Sequence, residues 1–141
     1  MKKSLFAIFC ALCLLLGACA SHTTQRGVEL ASQGKTSLEF SGFDSDAKEL
    51  HSCLLAALQE RRWAVLDSGN PVKAEIHNAD QHASVSIKVE DDKLVFDTKG
   101  SFLDVKGPYV PLRYIDYLMQ SVRRNLHERH KVKVPAPAKA S

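Results

Sequence analysis

The sequence predicts a two-layer α+β fold, in which a mostly antiparallel sheet has two helices packed on one face. Two stretches of the 141-residue chain carry apolar residues at helical spacing. Between them lie runs of alternating apolar and polar residues, separated by short turn-forming stretches, as expected for strands joined in hairpins. Each helix has one apolar stripe that needs an apolar partner, so we expect both helices to cover the same sheet face.

Residues 1–18 have the pattern of a secretory signal peptide. Two lysines near the start precede an apolar run over residues 5–16, and the small residues Gly17 and Ala18 follow. The apolar run is shorter than the roughly 20 residues that a membrane-spanning helix needs. We therefore expect this segment to direct export and to be removed.

The stretch Leu16-Gly17-Ala18-Cys19 resembles the lipobox of bacterial lipoproteins. This resemblance implies cleavage before Cys19, a thioether-linked diacylglycerol on its sulfur and acylation of the new N-terminus. The alternative is an ordinary secreted protein in which Cys19 has no such role. Ala20 stands where enteric lipoproteins retained in the inner membrane commonly have Asp, so the resemblance favours a periplasm-facing anchor in the outer membrane.

The rest of the chain divides into three segments. Residues 19–35 are polar without a sustained period, and we expect a lipidated N-terminus and a flexible tether. Residues 36–130 are predicted to form the α+β domain. Residues 131–141 are rich in Pro and Ala, which is typical of a disordered tail. Within the predicted domain, Cys53 is the one cysteine and lies among apolar residues, so we expect a buried structural thiol.

The first half of the domain should contain a strand and a helix. A strand is expected at residues 36–40, before the break at Ser41-Gly42. The helix should begin at residues 44–46, because side-chain oxygens there can accept hydrogen bonds from free amides of the first turn. Its apolar stripe consists of Leu50, Leu54, Ala57 and Leu58.

The second half begins with strands and ends in a helix. Strands are predicted at residues 63–66, 72–77, 83–90 and 93–98, with a loop from Gly100 to Pro111. The antiparallel strands should contain Val65, Ile76, Val85, Ile87 and Phe96. The last helix carries the stripe Leu112, Ile115, Leu118, Met119, Val122 and Leu126. Core contacts between the helices and the sheet are expected from Leu54, Leu58, Leu118 and Val122.

Several short motifs together resemble a group of small, largely uncharacterised lipoproteins of Gram-negative bacteria. In chain order the motifs are Trp63-x-Val65, Val72-x-Ala74-x-Ile76, His82-x-x-Val85-x-Ile87 and Tyr114-Ile115-Asp116-Tyr117. The resemblance covers about residues 36–130 and implies the order β-α-β-β-β-α, but no activity. Arg62 stands where the group usually has Gly, and Ile115 and Tyr117 stand where it has Asn and Trp.

Charge is distributed unevenly along the chain. Residues 44–104 hold 12 acidic and 7 basic residues, whereas residues 112–141 hold 2 acidic and 7 basic residues. An envelope location excludes nucleic acid as a partner. The simplest explanation of this asymmetry is a solvated charged surface. The alternative is that the basic end of the last helix, with Arg123, Arg124 and Arg129, contacts another envelope protein or an anionic envelope component.

His77 and His82 are the best candidates for a chemically active site; His127 and His130 could also share a metal, but their position near a helix end among arginines argues against it. His77 and His82 should face each other across a short turn that contains Asp80, and two imidazoles with a carboxylate can hold zinc. The alternative is an exposed polar end of a hairpin. No nucleophile elbow, zinc-protease motif or phosphate-binding loop occurs in the sequence.

These observations predict a membrane-anchored envelope lipoprotein without a cofactor. Its contact with membrane lipid would be through acylated Cys19, and its domain would serve as a non-catalytic interaction or structural module. The alternative is a metal-binding protein or a small metal-dependent hydrolase that uses His77 and His82.

Overall fold

The computed structural model describes residues 22–133, which form three helices and seven strands. The elements are α1 over residues 22–32, β1 Ser37–Ser41, α2 Ala47–Glu60, β2 Ala64–Asp67, β3 Val72–Asn78, β4 Gln81–Glu90, β5 Lys93–Asp97, β6 Phe102–Leu103, β7 Gly107–Pro108 and α3 Leu112–Lys133. The signal peptide, the lipobox with Cys19 and most of the predicted tail lie outside the described residues. Among residues 22–133, no helix combines the length and the apolar character needed to cross a membrane.

The strands form one antiparallel sheet in the order β1-β5-β4-β3-β2. Three consecutive strand pairs, β2 to β5, are hairpins, as the alternating runs predict. The pairing partner of β1 is β5, with Leu38 opposite Phe96. The last two strands extend one side of the sheet, since β6 pairs with the start of β4 and β7 pairs with β6.

Helices α2 and α3 cover one face of this sheet and confirm the predicted α+β arrangement. Leu54 and Leu58 on α2 and Leu118 and Val122 on α3 are fully buried in the same apolar cluster as Ile87 of β4. Burial of such side chains stabilises each by about 1.5–3 kcal/mol relative to exposure. The predicted core residue Cys53 also lies in this cluster and is fully buried.

The side chains of β4 alternate strictly between the two faces. Those at odd-numbered positions from Ala83 to Val89 are buried against the helices. The even-numbered positions carry polar side chains on the other face, together with polar residues of the neighbouring strands. We call this surface the open face; it comprises Glu39, Lys73, Glu75, Ser84, Ser86, Lys88, Glu90, Lys93 and Asp97, with Val95 among them.

The start of α2 is held by carboxylates from two parts of the chain. Asp46 is the N-cap, and its Oδ1 accepts a hydrogen bond of 2.8 Å from the amide of Glu49. Asp91, in the turn between β4 and β5, accepts a 2.7 Å bond from the amide of Ala47. The predicted helix start is correct, and the second carboxylate also joins α2 to the sheet.

The segment expected to be a flexible tether contains helix α1. Gly27 is buried, and its carbonyl accepts a 2.9 Å hydrogen bond from the amide of Val110. A methyl group added at Gly27 would collide with the Val110 carbonyl oxygen. The sequence does not predict this helix, because its closest contact is the backbone of Gly27 and its few apolar residues, Val28, Leu30 and Ala31, show no sustained period.

Two further boundaries differ from the sequence-based expectation. The predicted loop over residues 100–111 contains the short strands β6 and β7, which have only two residues each and therefore show no alternation. Helix α3 continues to Lys133, so the folded part extends beyond residue 130 into the segment predicted to be a tail.

Candidate functional site

His77 and His82 face each other across the β3–β4 hairpin, as their spacing predicts. They are directly paired in the register, and their Nδ1 atoms are 2.5 Å apart. His77 is the more exposed of the two, with 57% of its side chain accessible against 24% for His82. The hairpin therefore brings together two ring nitrogens at one end of the sheet.

The carboxylate that contacts His82 comes from Asp104 rather than Asp80. The Nε2 atom of His82 lies 2.8 Å from Oδ1 of Asp104, in the turn between β6 and β7. Asp80 contributes its backbone carbonyl, which accepts a 2.9 Å hydrogen bond from the amide of Asp104. The carboxylate beside His82 is thus that of Asp104, and the trio with Asp80 stays a prediction. No local pattern indicates Asp104, because its approach depends on the pairing of β6 with β4.

Phe102 fixes the plane of the His82 ring. The two residues are register partners, and their rings stack with centroids 4.3 Å apart and an interplanar angle of 17°. On the other side of the pair, Oε1 of Glu75 lies 3.7 Å from Nε2 of His77. The result is a row of four polar groups, which we call the histidine row: Glu75, His77, His82 and Asp104.

Hydrogen-bond chemistry limits the protons that the histidine row can hold. Asp104 accepts when ionised, so Nε2 of His82 must donate. Between the two Nδ1 atoms, one must carry a hydrogen and the other must accept it. A second positive charge on the pair would place two N–H groups head to head and break this contact. The contacts of the histidine row include no nucleophilic side chain.

The geometry of the histidine row does not fit the predicted metal site. Two imidazole nitrogens bound to tetrahedral zinc at 2.0–2.1 Å would be about 3.3 Å apart. The Nδ1 atoms of His77 and His82 are closer than this and point at each other. Within residues 22–133, no group of three or more His, Cys, Asp or Glu side chains is arranged to hold a metal ion.

The three arginines predicted as a partner contact are all exposed on α3, but each has an intramolecular contact. Arg124 forms an ion pair with Glu60 at the end of α2. Arg129 donates a 2.7 Å hydrogen bond to the hydroxyl of Ser52, and the guanidinium carbon of Arg123 lies 4.9 Å from the ring centre of Phe43. These contacts hold the three side chains along the boundary between α2 and α3. The Glu60 carboxylate also neutralises part of the charge of Arg124.

The open face carries charges of both signs in ion pairs. Lys88 is 3.2 Å from Glu90, and Lys93 is 3.1 Å from Glu39. The Lys88 ammonium holds the pKa of Glu90 below its usual value, and the Glu39 carboxylate raises the pKa of Lys93. Exposed pairs of this kind contribute little to stability. The open face therefore carries hydroxyls and charges of both signs, and neither sign dominates it.

A small cavity of about 30 Å³ separates the start of α1 from the start of α3. Its walls include Thr23, Gln81, Tyr109 and Arg113. The buried phenol of Tyr109 has a raised pKa, mainly because of desolvation, and its hydroxyl lies 3.4 Å from Oε1 of Gln81. This volume is about that of one water molecule, so it does not accommodate an organic substrate.

No protein-family model matches this chain, and a comparison with curated proteins also finds no match. The resemblance to small Gram-negative lipoproteins therefore stays a prediction from the motifs.

Proposed function

We propose that the protein is an envelope lipoprotein, anchored in the outer membrane through acylated Cys19 and facing the periplasm. Its domain would act as a non-catalytic interaction or structural module. The anchor is supported by the signal pattern of residues 1–18 and by the small residues that precede Cys19. The expected partners are membrane lipid, another envelope protein or an anionic envelope component.

The observation that carries the interaction role is the open face. Helices α2 and α3 cover only the opposite side of the sheet, so the open face presents polar groups from adjacent strands on a rigid surface. Ser84 and Ser86 lie in its middle, and Lys88 has 64% of its side chain accessible. Because these strands are hydrogen-bonded to their neighbours, their hydroxyl and charged groups have fixed positions. Such a surface can form hydrogen bonds and ion pairs of defined geometry with a protein partner.

The metal-dependent alternative receives no support from the site geometry. Among residues 22–133 no three His, Cys, Asp or Glu side chains are grouped to hold a metal ion, and the carboxylate that contacts His82 is that of Asp104. We therefore keep the interaction role as the one proposed function.

The anchor is tested by replacing Cys19 with Ser in the full-length chain expressed in a Gram-negative host. Acylation, measured by incorporation of labelled fatty acid, should be lost, and the signal should remain attached. Cys13→Ser is the matched control, since it changes the same residue type within the same signal segment. Normal processing and release of the Cys19→Ser protein would refute the anchor.

The interaction role is tested by placing a photo-crosslinking amino acid at single accessible surface sites in intact cells. Probes at Ser86 on the open face and at Arg123 on α3 should give discrete adducts, whereas a probe at Gln59, on the exposed side of α2, should not. The adducts should persist in His77→Ala and His82→Ala variants. An absence of adducts at both test sites would refute these surfaces as contacts.

A further inference from the structure

We infer that the end of the domain formed by the β3–β4 turn and the β6–β7 turn rests on the membrane surface, with Val105 in contact with lipid. We call this the anchor end; it is marked by Thr23, Asp80, Gln81 and Val105. The inference depends on the proposed acylation of Cys19 and adds an orientation to it.

The first step is that α1 is part of the folded domain. Gly27 lies against the backbone at Val110, with its carbonyl hydrogen-bonded to the Val110 amide. Further along the helix, Leu30 lines a groove together with Leu38 of β1. Helix α1 is thus attached to the domain. The distance between the domain and the lipid therefore depends on the residues between Cys19 and His22.

The second step is the short covalent connection between lipid and helix. Only Ala20 and Ser21 separate Cys19 from His22, the first described residue. Three residue steps extend over at most about 11 Å. A headgroup layer is about 5–8 Å thick on each side of the hydrocarbon core. An acylated Cys19 would therefore hold the start of α1 close to the lipid headgroups.

The third step identifies which part of the domain lies at the start of α1. Thr23 and Gln81 line the same small cavity. Gln81 pairs with Leu103 in β6, and β6 runs antiparallel to β4, toward the β3–β4 turn. The amide of Asp104 then bonds to the carbonyl of Asp80. Val105 follows immediately and lies at this same end.

Val105 is unusual in its exposure. It is 90% accessible at the tip of the β6–β7 turn, and the exposed Lys106 follows it. A single exposed apolar residue is ordinary on a protein surface. Its position beside the proposed anchor makes it significant here, because an exposed apolar side chain close to an acylated cysteine can enter the boundary between headgroups and acyl chains.

Val132 provides a matched comparison at the opposite end of the domain. It is 86% accessible and lies in the last turn of α3. From Leu112 to Val132 the helix rises by about 30 Å. The Nε2 atom of His130, two residues before Val132, lies 3.5 Å from Oε1 of Glu49 in the first turn of α2. Asp91, in the β4–β5 turn, accepts a hydrogen bond from the start of the same helix. Val132 is therefore far from the anchor end, although its residue type and exposure match those of Val105.

The test uses the full-length, processed protein in vesicles of phosphatidylethanolamine and phosphatidylglycerol that contain a headgroup-quencher lipid. A fluorophore is attached to Val105→Cys or Val132→Cys; the thiol of Cys53 is buried in both. We expect the label at position 105 to lose most of its fluorescence and the label at position 132 to lose little. Equal quenching at the two positions in vesicle-bound protein would overturn the orientation while leaving the anchor intact.

Two further measurements separate the possible failures. Protein that does not float with the vesicles would refute the anchor, and the orientation with it. In the Gly27→Ala variant, α1 should lose its docking site and the difference in quenching between positions 105 and 132 should shrink. The control Gln25→Ala changes an exposed position of the same helix and should preserve the difference. A full difference in a folded Gly27→Ala protein would show that docking of α1 does not set the orientation.

Discussion

The hydroxyl of Ser101 bonds both backbone groups of Ser84, accepting from its amide and donating to its carbonyl at 2.9 Å each. Ser84 lies in β4 between the part that pairs with β5 and the part that pairs with β6. Ser84 is paired with Glu75 of β3 on one side, but on its other side neither β5 nor β6 reaches this position. One buried side chain thus completes the edge of β4.

Replacing Ser101 with Ala should destabilise the domain by about 1–3 kcal/mol, because it leaves two partly buried backbone groups without this partner. The free energy of unfolding, measured by urea denaturation, checks this value. Ser86→Ala is the control, since its side chain lies on the open face and its backbone pairs with two strands; it should change stability by less than about 0.5 kcal/mol. Equal effects of the two changes would contradict the role of Ser101.

Arg62 follows α2 in a left-handed backbone conformation, with φ of 62°. This conformation costs an L-residue about 1–2 kcal/mol, which glycine avoids. Arg62→Gly should therefore stabilise the domain by about 0.5–1 kcal/mol after the greater flexibility of unfolded glycine is counted. Gln59→Gly, inside α2, should instead destabilise it by about 1 kcal/mol. Destabilisation by both changes in thermal unfolding would contradict this assignment.

Much of the fold was predictable, because its main elements bury side chains with a regular period. Strand β4 alternates buried and polar positions over its whole length, and α2 and α3 each present one apolar stripe to the sheet. Helix α1 was missed because its closest contact is the backbone of Gly27. The strands β6 and β7 were missed because two residues give no period.

The candidate site was only half predictable, for a related reason. The pairing of His77 with His82 follows from a short hairpin, which spacing alone determines. The approach of Asp104 depends on a pairing between β4 and β6 across a loop, and Phe102 reaches His82 by the same route. Tertiary contacts of this kind leave no signature in the local pattern of residues.

The histidine row predicts that the protein does not bind zinc in stoichiometric amount. Metal analysis of the purified protein should give less than one zinc per chain, and a chelator should leave the melting temperature unchanged. The reason is that the Nδ1 atoms of His77 and His82 contact each other directly, so a zinc ion has no room between them. One equivalent of zinc that disappears in the folded His77→Ala variant would contradict the prediction and restore the metal-dependent alternative.

The basic end of α3 should contribute to partner recovery through Arg123 and Arg129. Neither has a carboxylate as its described contact, whereas Arg124 is paired with Glu60 and has less charge to offer. The double change Arg123→Gln and Arg129→Gln should reduce recovery of an anionic partner from envelopes after crosslinking. It should also flatten the salt dependence, because exposed charges are screened over about 8–10 Å at near-physiological ionic strength.

The matched control for this prediction is Arg113→Gln, which removes the same charge from the first turn of α3. It should leave recovery unchanged, since Arg113 lies at the other end of the helix and its described contact is Tyr117. Both proteins should keep the wild-type melting temperature within a few degrees, because the changed side chains are exposed. If the double variant and the control lose partner equally, or neither loses it at low and high salt, the basic end is not the contact, and the open face becomes the surface to probe.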